Sequence, residues 1–101
     1  MSKLCMLRRE AKRKLLCDKY YKRRVSLKKQ IKSPVLSLEE KEKYQNELNS
    51  LPRDSCKIRR RRRCAETGRS RGVYRKFGLC RQMLRKHAAF GDIPGLHKAS
   101  W

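Results

Sequence analysis

Acidic residues are scarce in this chain. Nine Asp and Glu stand against thirty Lys and Arg, a formal net charge of +21 over 101 residues. A compact free protein with that balance repels itself, so the composition calls for a polyanionic partner. Large aliphatic and aromatic residues are also few: Leu, Ile, Val and Phe together number 20 of 101, close to the border of the disordered class. A chain this short buries only about 60 to 65% of its unfolded surface, too little for a sizeable enzyme core. No apolar run approaches the roughly 20 residues that span a bilayer, and no secretory segment follows Met1. No helical stretch pairs a Lys/Arg face with a broad apolar face, so a membrane partner is not expected. A soluble intracellular protein is the expectation. The five cysteines, Cys5, Cys17, Cys56, Cys64 and Cys80, are odd in number and irregular in spacing, which argues for reduced thiols rather than a disulfide scaffold.

Glycine and proline are sparse too, and their positions divide the chain. None occurs before Pro34. Leu4, Leu7, Ala11 and Leu15 recur at helical spacing among Arg8, Arg9, Lys12, Arg13 and Lys14, which predicts a helix with a narrow apolar stripe and a wide cationic face. The stripe continues less cleanly through Tyr20, Val25, Leu27 and Ile31, leaving open a bend or break near Tyr20 and Tyr21. Ser33-Pro34 ends it. Ser37-Leu38-Glu39-Glu40 has the form of a capping box opening a second helix, with an edge of Tyr44, Leu48 and Leu51 and a stop at Pro52. The two are expected to form a loose antiparallel hairpin.

From Arg53 to Arg63 the composition is nearly pure positive charge, including five consecutive arginines, so a self-repelling extended segment is expected. A turn at Thr67–Gly72, a short extended piece at Val73–Phe77, and a third helix after Gly78 follow. In that helix Cys80, Met83, Leu84, His87 and Ala88 share one face, with Gly91 as C-cap and a turn at Ile93-Pro94-Gly95. The chain thus reads as 1–52, a basic helical extension; 53–63, an arginine-rich extended linker; and 64–101, a compact unit.

Three constellations could carry chemistry. The arginine run suits phosphate, because the guanidinium fork binds it bidentately and stacks on bases; its bland alternative is a solvated tract or localisation signal. Arg69, Arg71, Tyr74, Arg75, Lys76 and Phe77 interleave charge with aromatics, as RNA-binding surfaces do. Phe77 reads better as core, and Tyr74 fits either role. Cys64 and Cys80 stand at the first and third places of a C-x2-C, x12, C-x2-C metal pattern, but Thr67 and Met83 hold the others, and neither side chain normally replaces a thiolate on zinc. Help from Cys56 or His87 is geometrically conceivable. Catalysis has little to work with: two histidines, few carboxylates in the basic half, and a Cys80–His87 pair better explained as a packed helix face.

The strings R-C-x-x-T-G-R (Arg63–Arg69), Y-R-K-F-G-L (Tyr74–Leu79), I-P-G-L (Ile93–Leu96) and the terminal K-A-S-W (Lys98–Trp101) occur in one order. Together with Leu51-Pro52-Arg53-Asp54-Ser55, they closely resemble the family of bacterial-type small-subunit ribosomal protein fourteen, over essentially the whole chain. Thr67, Met83 and the length resemble its zinc-free long form. The resemblance implies a mainly α, small irregular fold: an extended amino-terminal helical hairpin plus a compact carboxyl-terminal unit resembling a zinc ribbon without its metal. It implies a non-enzymatic structural constituent of the small ribosomal subunit, without cofactor or small-molecule substrate. Its partners would be small-subunit rRNA of the 3′ major domain, in the subunit head, and the third, tenth and nineteenth small-subunit proteins. The location would be a ribosome of the bacterial cytoplasm, mitochondrion or plastid. The residues expected on RNA are Arg53, Lys57, Arg59, Arg60, Arg61, Arg62, Arg63, Arg69, Arg71, Tyr74, Arg75, Lys76, Arg81, Arg85, Lys98 and Trp101, the last anchored by burial or stacking. A general nucleic-acid packaging or antitermination-like protein, and a metal-binding regulatory module, are the competing readings.

Overall fold

The computed structural model describes residues 2–100. Its helices are α1 (Leu4–Lys32), α2 (Leu38–Ser50) and α3 (Arg81–Phe90), with two single 3-10 turns between α2 and α3. Among the described residues there is no strand, only an isolated antiparallel bridge between Val73 and Cys80. The mainly helical expectation holds. The chain packs as two units, residues 2–7 with 61–100, and Arg8–Arg60.

In the unit Arg8–Arg60, α1 runs unbroken through Tyr20 and Tyr21, so no bend or break occurs there. Its Lys, Arg and Leu content favours helix, and neither Gly nor Pro interrupts it. The buried face agrees with the expected stripe at Leu7, Tyr20, Leu27 and Ile31 and departs from it at Leu4, Ala11, Leu15 and Val25. Ala11 and Leu15 are exposed, while Cys17 and Leu27 are buried and Tyr20, Arg24 and Ile31 are half-buried. What α1 packs against explains the choice: the Cys17 thiol approaches the Asp54 carbonyl oxygen at 3.5 Å, and the Arg24 guanidinium donates to the Ser55 hydroxyl at 2.9 Å. Ser55, 2% exposed, donates in turn to the Pro52 carbonyl at 2.5 Å. A polar segment needs polar partners when buried, so periodicity of apolar residues alone does not point to Cys17 and Arg24.

The α2 capping box forms as expected. Glu40 N–H donates to the Ser37 hydroxyl at 3.4 Å, and Ser37 N–H donates to the Glu40 carboxylate at 3.1 Å. The helix ends at Ser50, with Leu51 extended ahead of Pro52, where proline disfavours the α region. An ion pair joins Arg23 of α1 to Glu47 of α2. Of the stretch Arg53–Arg63, expected to be extended, Arg53–Ser55 and Lys57–Arg59 instead coil into the two 3-10 turns, while Arg60 is extended. Asp54 makes that turning possible: its carboxylate lies 3.0 Å from Arg59 and 3.4 Å from Arg13, relieving repulsion that a run of cations alone would feel.

In the other unit, Cys64 N–H donates to the Arg69 carbonyl at 2.8 Å and Gly68 N–H to the Cys64 carbonyl at 2.9 Å, closing a tight loop. The expected extended piece Val73–Phe77 is instead a narrow turn. Tyr74 N–H donates to the Leu79 carbonyl and Gly78 N–H returns to the Tyr74 carbonyl, each at 2.9 Å. That reversal places Val73 opposite Cys80 and aims the chain into α3. The expected α3 face is half-buried at Met83, Leu84, His87 and Ala88. Gly91 ends the helix at φ 72°, a left-handed cap in which its N–H reaches the Ala88 carbonyl. The centre of the unit is two sulfurs: Cys64 is 3% exposed and Cys80 0%.

Candidate nucleic-acid interface

The run of arginines does not act as one tract. Arg53, Lys57 and Arg62 are exposed, as is Arg61, whereas Arg59 is exposed but tied to Asp54. Arg60 is half-buried and faces the Asp18 carboxylate at 3.7 Å. Arg63 turns inward: its Nη1 donates to the Ser2 hydroxyl at 3.2 Å and the Gly68 carbonyl at 2.9 Å. Charge type alone could not separate Arg62 from Arg63, since what differs is the backbone each meets.

Gly68 explains part of the T-G-R string. Its φ is +69°, and a Cβ there would lie 2.5 Å from Leu7 Cδ2. Only glycine fits without a shift of its neighbours. Just beyond it lies a cavity of about 360 Å³ lined by Arg63, Arg69 and Arg71 together with Ser2, Thr67, Ser70 and Gln82. Among the described residues no Asp or Glu lines it. Three arginines around one space offer positive charge and guanidinium donors for an anion. Arg69 is oriented by Gln82, to which it donates at 3.0 Å.

Around the same unit Arg71, Arg75, Lys76, Arg81, Arg85 and Lys98 are exposed. Tyr74 is also exposed, while Phe77 is half-buried with the Lys76 ammonium 5.6 Å from its ring centre. Tyr74 therefore has a face available for stacking and Phe77 serves packing. Trp101 lies outside the described residues.

The cysteine pair has its own electrostatics. Burial pushes the Cys64 thiol up, but the Thr67 hydroxyl and the backbone N–H groups of Thr67, Cys80 and Glu66 outweigh it and bring the pKa to about 6. Thr67 Oγ1 also lies 3.8 Å from the Cys80 sulfur. Two thiols with a hydroxyl between them do not make a zinc ligand set. Among the described residues no three His, Cys, Asp or Glu side chains come together to hold a metal ion. His87 does not turn to either sulfur: Nδ1 meets Asp92 Oδ2 at 2.7 Å and Nε2 meets Glu66 Oε1 at 2.5 Å. Asp92, and then Glu66, raise its pKa above the usual 6.5. With both ring nitrogens engaged by carboxylates, no Cys80–His87 dyad forms.

Residues outside the expected set also lie on a candidate surface. In the unit Arg8–Arg60, Tyr21, Val25 and Ile58 are exposed around a cleft that Lys28, Lys57 and Arg60 border. The one available signal in sequence is Ile58, an isolated aliphatic residue inside a run of cations.

The fold and surface together define a small basic protein whose exposed cations suit a polyanion. Residues 47–100 match the family described as ribosomal protein S14p/S29e. The chain is 54% identical over 101 residues to small ribosomal subunit protein uS14 of Nitrosococcus oceani, and 52% identical to that of Xylella fastidiosa, covering all of both chains in each case. It is 50% identical to the protein of the same name from the Wolbachia of Culex pipiens, again over the full length of both. The chain belongs to the ribosomal protein S14p/S29e family. It is a ribosomal structural protein and not an enzyme.

Proposed function

We propose that this chain is a strut in the head of the small ribosomal subunit, where it neutralises phosphates converging from the 3′ major domain of the rRNA and supports assembly and translation. The cleft lined by Arg63, Arg69 and Arg71 carries the reading, because it gathers positive charge and, among the described residues, no Asp or Glu. The exposed Arg53, Lys57, Arg62, Arg75, Lys76, Arg81, Arg85 and Lys98, with Arg59 to Arg61, extend that contact to further phosphates. Tyr74 stacks on an unpaired base, and Trp101 anchors the carboxyl end.

In this reading residues 64–101 are a zinc-ribbon-like unit in which Thr67 links the two sulfurs that a metal would otherwise join. Residues 1–52 form a hairpin extension of α1 and α2, and 53–63 the link between the two parts. The third, tenth and nineteenth small-subunit proteins are its neighbours, in a bacterial, mitochondrial or plastid ribosome. The likeness to full-length bacterial relatives supports the subunit, and the surface chemistry supports the RNA contact.

The test is sedimentation of small subunits assembled with the tagged chain, after a high-salt wash. Co-migration is expected, together with hydroxyl-radical protection of head rRNA that an Arg69→Gln/Arg71→Gln double variant loses. Release into the free fraction would favour a general packaging protein instead.

A further inference from the structure

The cleft in the unit Arg8–Arg60 is unlike the rest of the cationic surface, because Tyr21, Val25 and Ile58 line it together with its charged residues. It measures about 380 Å³, within the usual range of about 300–1,000 Å³ for pockets that hold a small organic group. Tyr21 and Val25 stand one helical turn apart on α1 and are 56% and 49% exposed; Ile58, at the middle of the second 3-10 turn, is 88% exposed. Three large apolar side chains facing one open space, in a chain this poor in them, leave apolar surface uncovered for no gain in the free protein.

The border is complementary to a phosphate. Lys28, Lys57 and Arg60 line the cleft, and its one carboxylate, Asp18, is 3.7 Å from Arg60. Arg24 is held in the wall by the Ser55 hydroxyl at 2.9 Å, and Ser55 is itself buried and bonded to the Pro52 carbonyl. The wall is therefore preorganised by a hydrogen-bonded chain rather than assembled on binding. We propose that this cleft receives one unpaired nucleobase of rRNA, stacked against Tyr21 and Ile58, with the flanking phosphates on Lys28, Lys57 and Arg60.

A nucleotide fits these observations better than a peptide. A flat aromatic base satisfies an aromatic and aliphatic wall without sequence-specific donors, and its phosphates satisfy a cationic rim. Arg59, next to Ile58 in the same unit, adds a further exposed cation. The inference rests on the proposed contact with small-subunit rRNA and adds a second base-stacking position to the one proposed at Tyr74.

The experiment uses the full chain and deproteinised small-subunit rRNA, measured as affinity against salt, with Tyr21→Ala, Ile58→Ser and, as control, Val35→Ser. Val35 is as exposed as Ile58 but does not line the cleft. Losing a stacked base should weaken binding about tenfold in each cleft variant while leaving the salt slope unchanged, since no phosphate contact is removed. The control should stay within about twofold. In parallel, the unaltered chain is photocrosslinked to rRNA carrying 4-thiouridine, and a nucleotide adduct is expected on Tyr21 or on the peptide around Ile58. Unchanged affinity in both variants, with adducts only elsewhere, overturns the base pocket while the rRNA contact stands. Variants that bind rRNA normally but fail to enter subunits also overturn it, in favour of a protein segment in the cleft. An unaltered chain that does not bind the rRNA at all overturns the proposed function itself.

Discussion

The Thr67 hydroxyl lies 3.8 Å from the Cys80 sulfur and hydrogen-bonds the sulfur of Cys64. One small side chain thus serves both of the sulfurs that form the centre of the carboxyl-terminal unit. A polar bridge between buried groups is worth most where no water can replace it.

Thr67→Val keeps the volume and removes the bridge. We expect a loss of about 1–3 kcal/mol from the buried hydrogen bond, read as a lower thermal midpoint. The Cys64 thiol, held near 6 against an ordinary 9.0, should also move upward in the variant, followed by thiolate ultraviolet absorbance. A depressed folded pKa contributes stability that is fully present above about 9 and is lost as pH falls through about 6. The unaltered protein should therefore gain thermal stability from this group across that interval, and Thr67→Val should flatten the gain.

His87 acts in the opposite sense. Its folded pKa is raised by Asp92 and Glu66, so its contribution is full below 6.5 and is lost as pH rises through the folded value. An NMR titration of the His87 ring should give a midpoint above 6.5, and Asp92→Asn should lower it, since Asp92 is the larger cause. A midpoint unmoved by that substitution would show that the ion pair does not persist in solution.

Gly68→Ala should cost more than Gly95→Ala. Both glycines have positive φ, but an added Cβ meets Leu7 at 2.5 Å in the first case and nothing within 4 Å in the second. The φ penalty alone is about 1–2 kcal/mol, and the clash adds to it. Comparable melting temperatures for the two variants would remove the close approach from the account of the T-G-R string.

Neighbouring arginines should respond differently to glutamine. Arg63→Gln removes bonds to Ser2 and Gly68 and should lower the melting temperature, whereas Arg62→Gln should leave it unchanged. On RNA, Arg62→Gln should reduce the slope of log affinity against log salt by about 0.7 to 0.9 for one lost phosphate contact. Equal effects of both variants on stability would contradict the inward placement of Arg63.

Local signals were legible in the sequence where a few adjacent residues settle the geometry. The Ser37–Glu40 box, the Pro52 stop and the Gly91 cap all formed as expected, because each depends on chemistry within one turn. The inner face of α1 was legible only in part: Tyr20, Leu27 and Ile31 follow the apolar stripe, whereas Cys17 and Arg24, which meet Asp54 and Ser55 more than thirty residues away, carry no apolar pattern. The turn at Tyr74–Gly78 was missed for a related reason, since β-favouring residues were read as extended although Tyr74 both donates and accepts across the reversal. For the candidate interface, the cationic surface was plain from composition. Which arginines stay outside depends on backbone carbonyls and carboxylates that composition does not arrange.

Asp54 holds Arg13 and Arg59 on one carboxylate, and Arg59 remains exposed while it is held. In a chain so poor in acid, such a residue sets a local order of engagement. A phosphate approaching Arg59 has to displace or share a carboxylate, whereas Arg62 has no acidic partner among the described residues. Contact with a long anion would accordingly begin at Arg62 and reach Arg59 later, giving the surface a sequence in time as well as a layout in space.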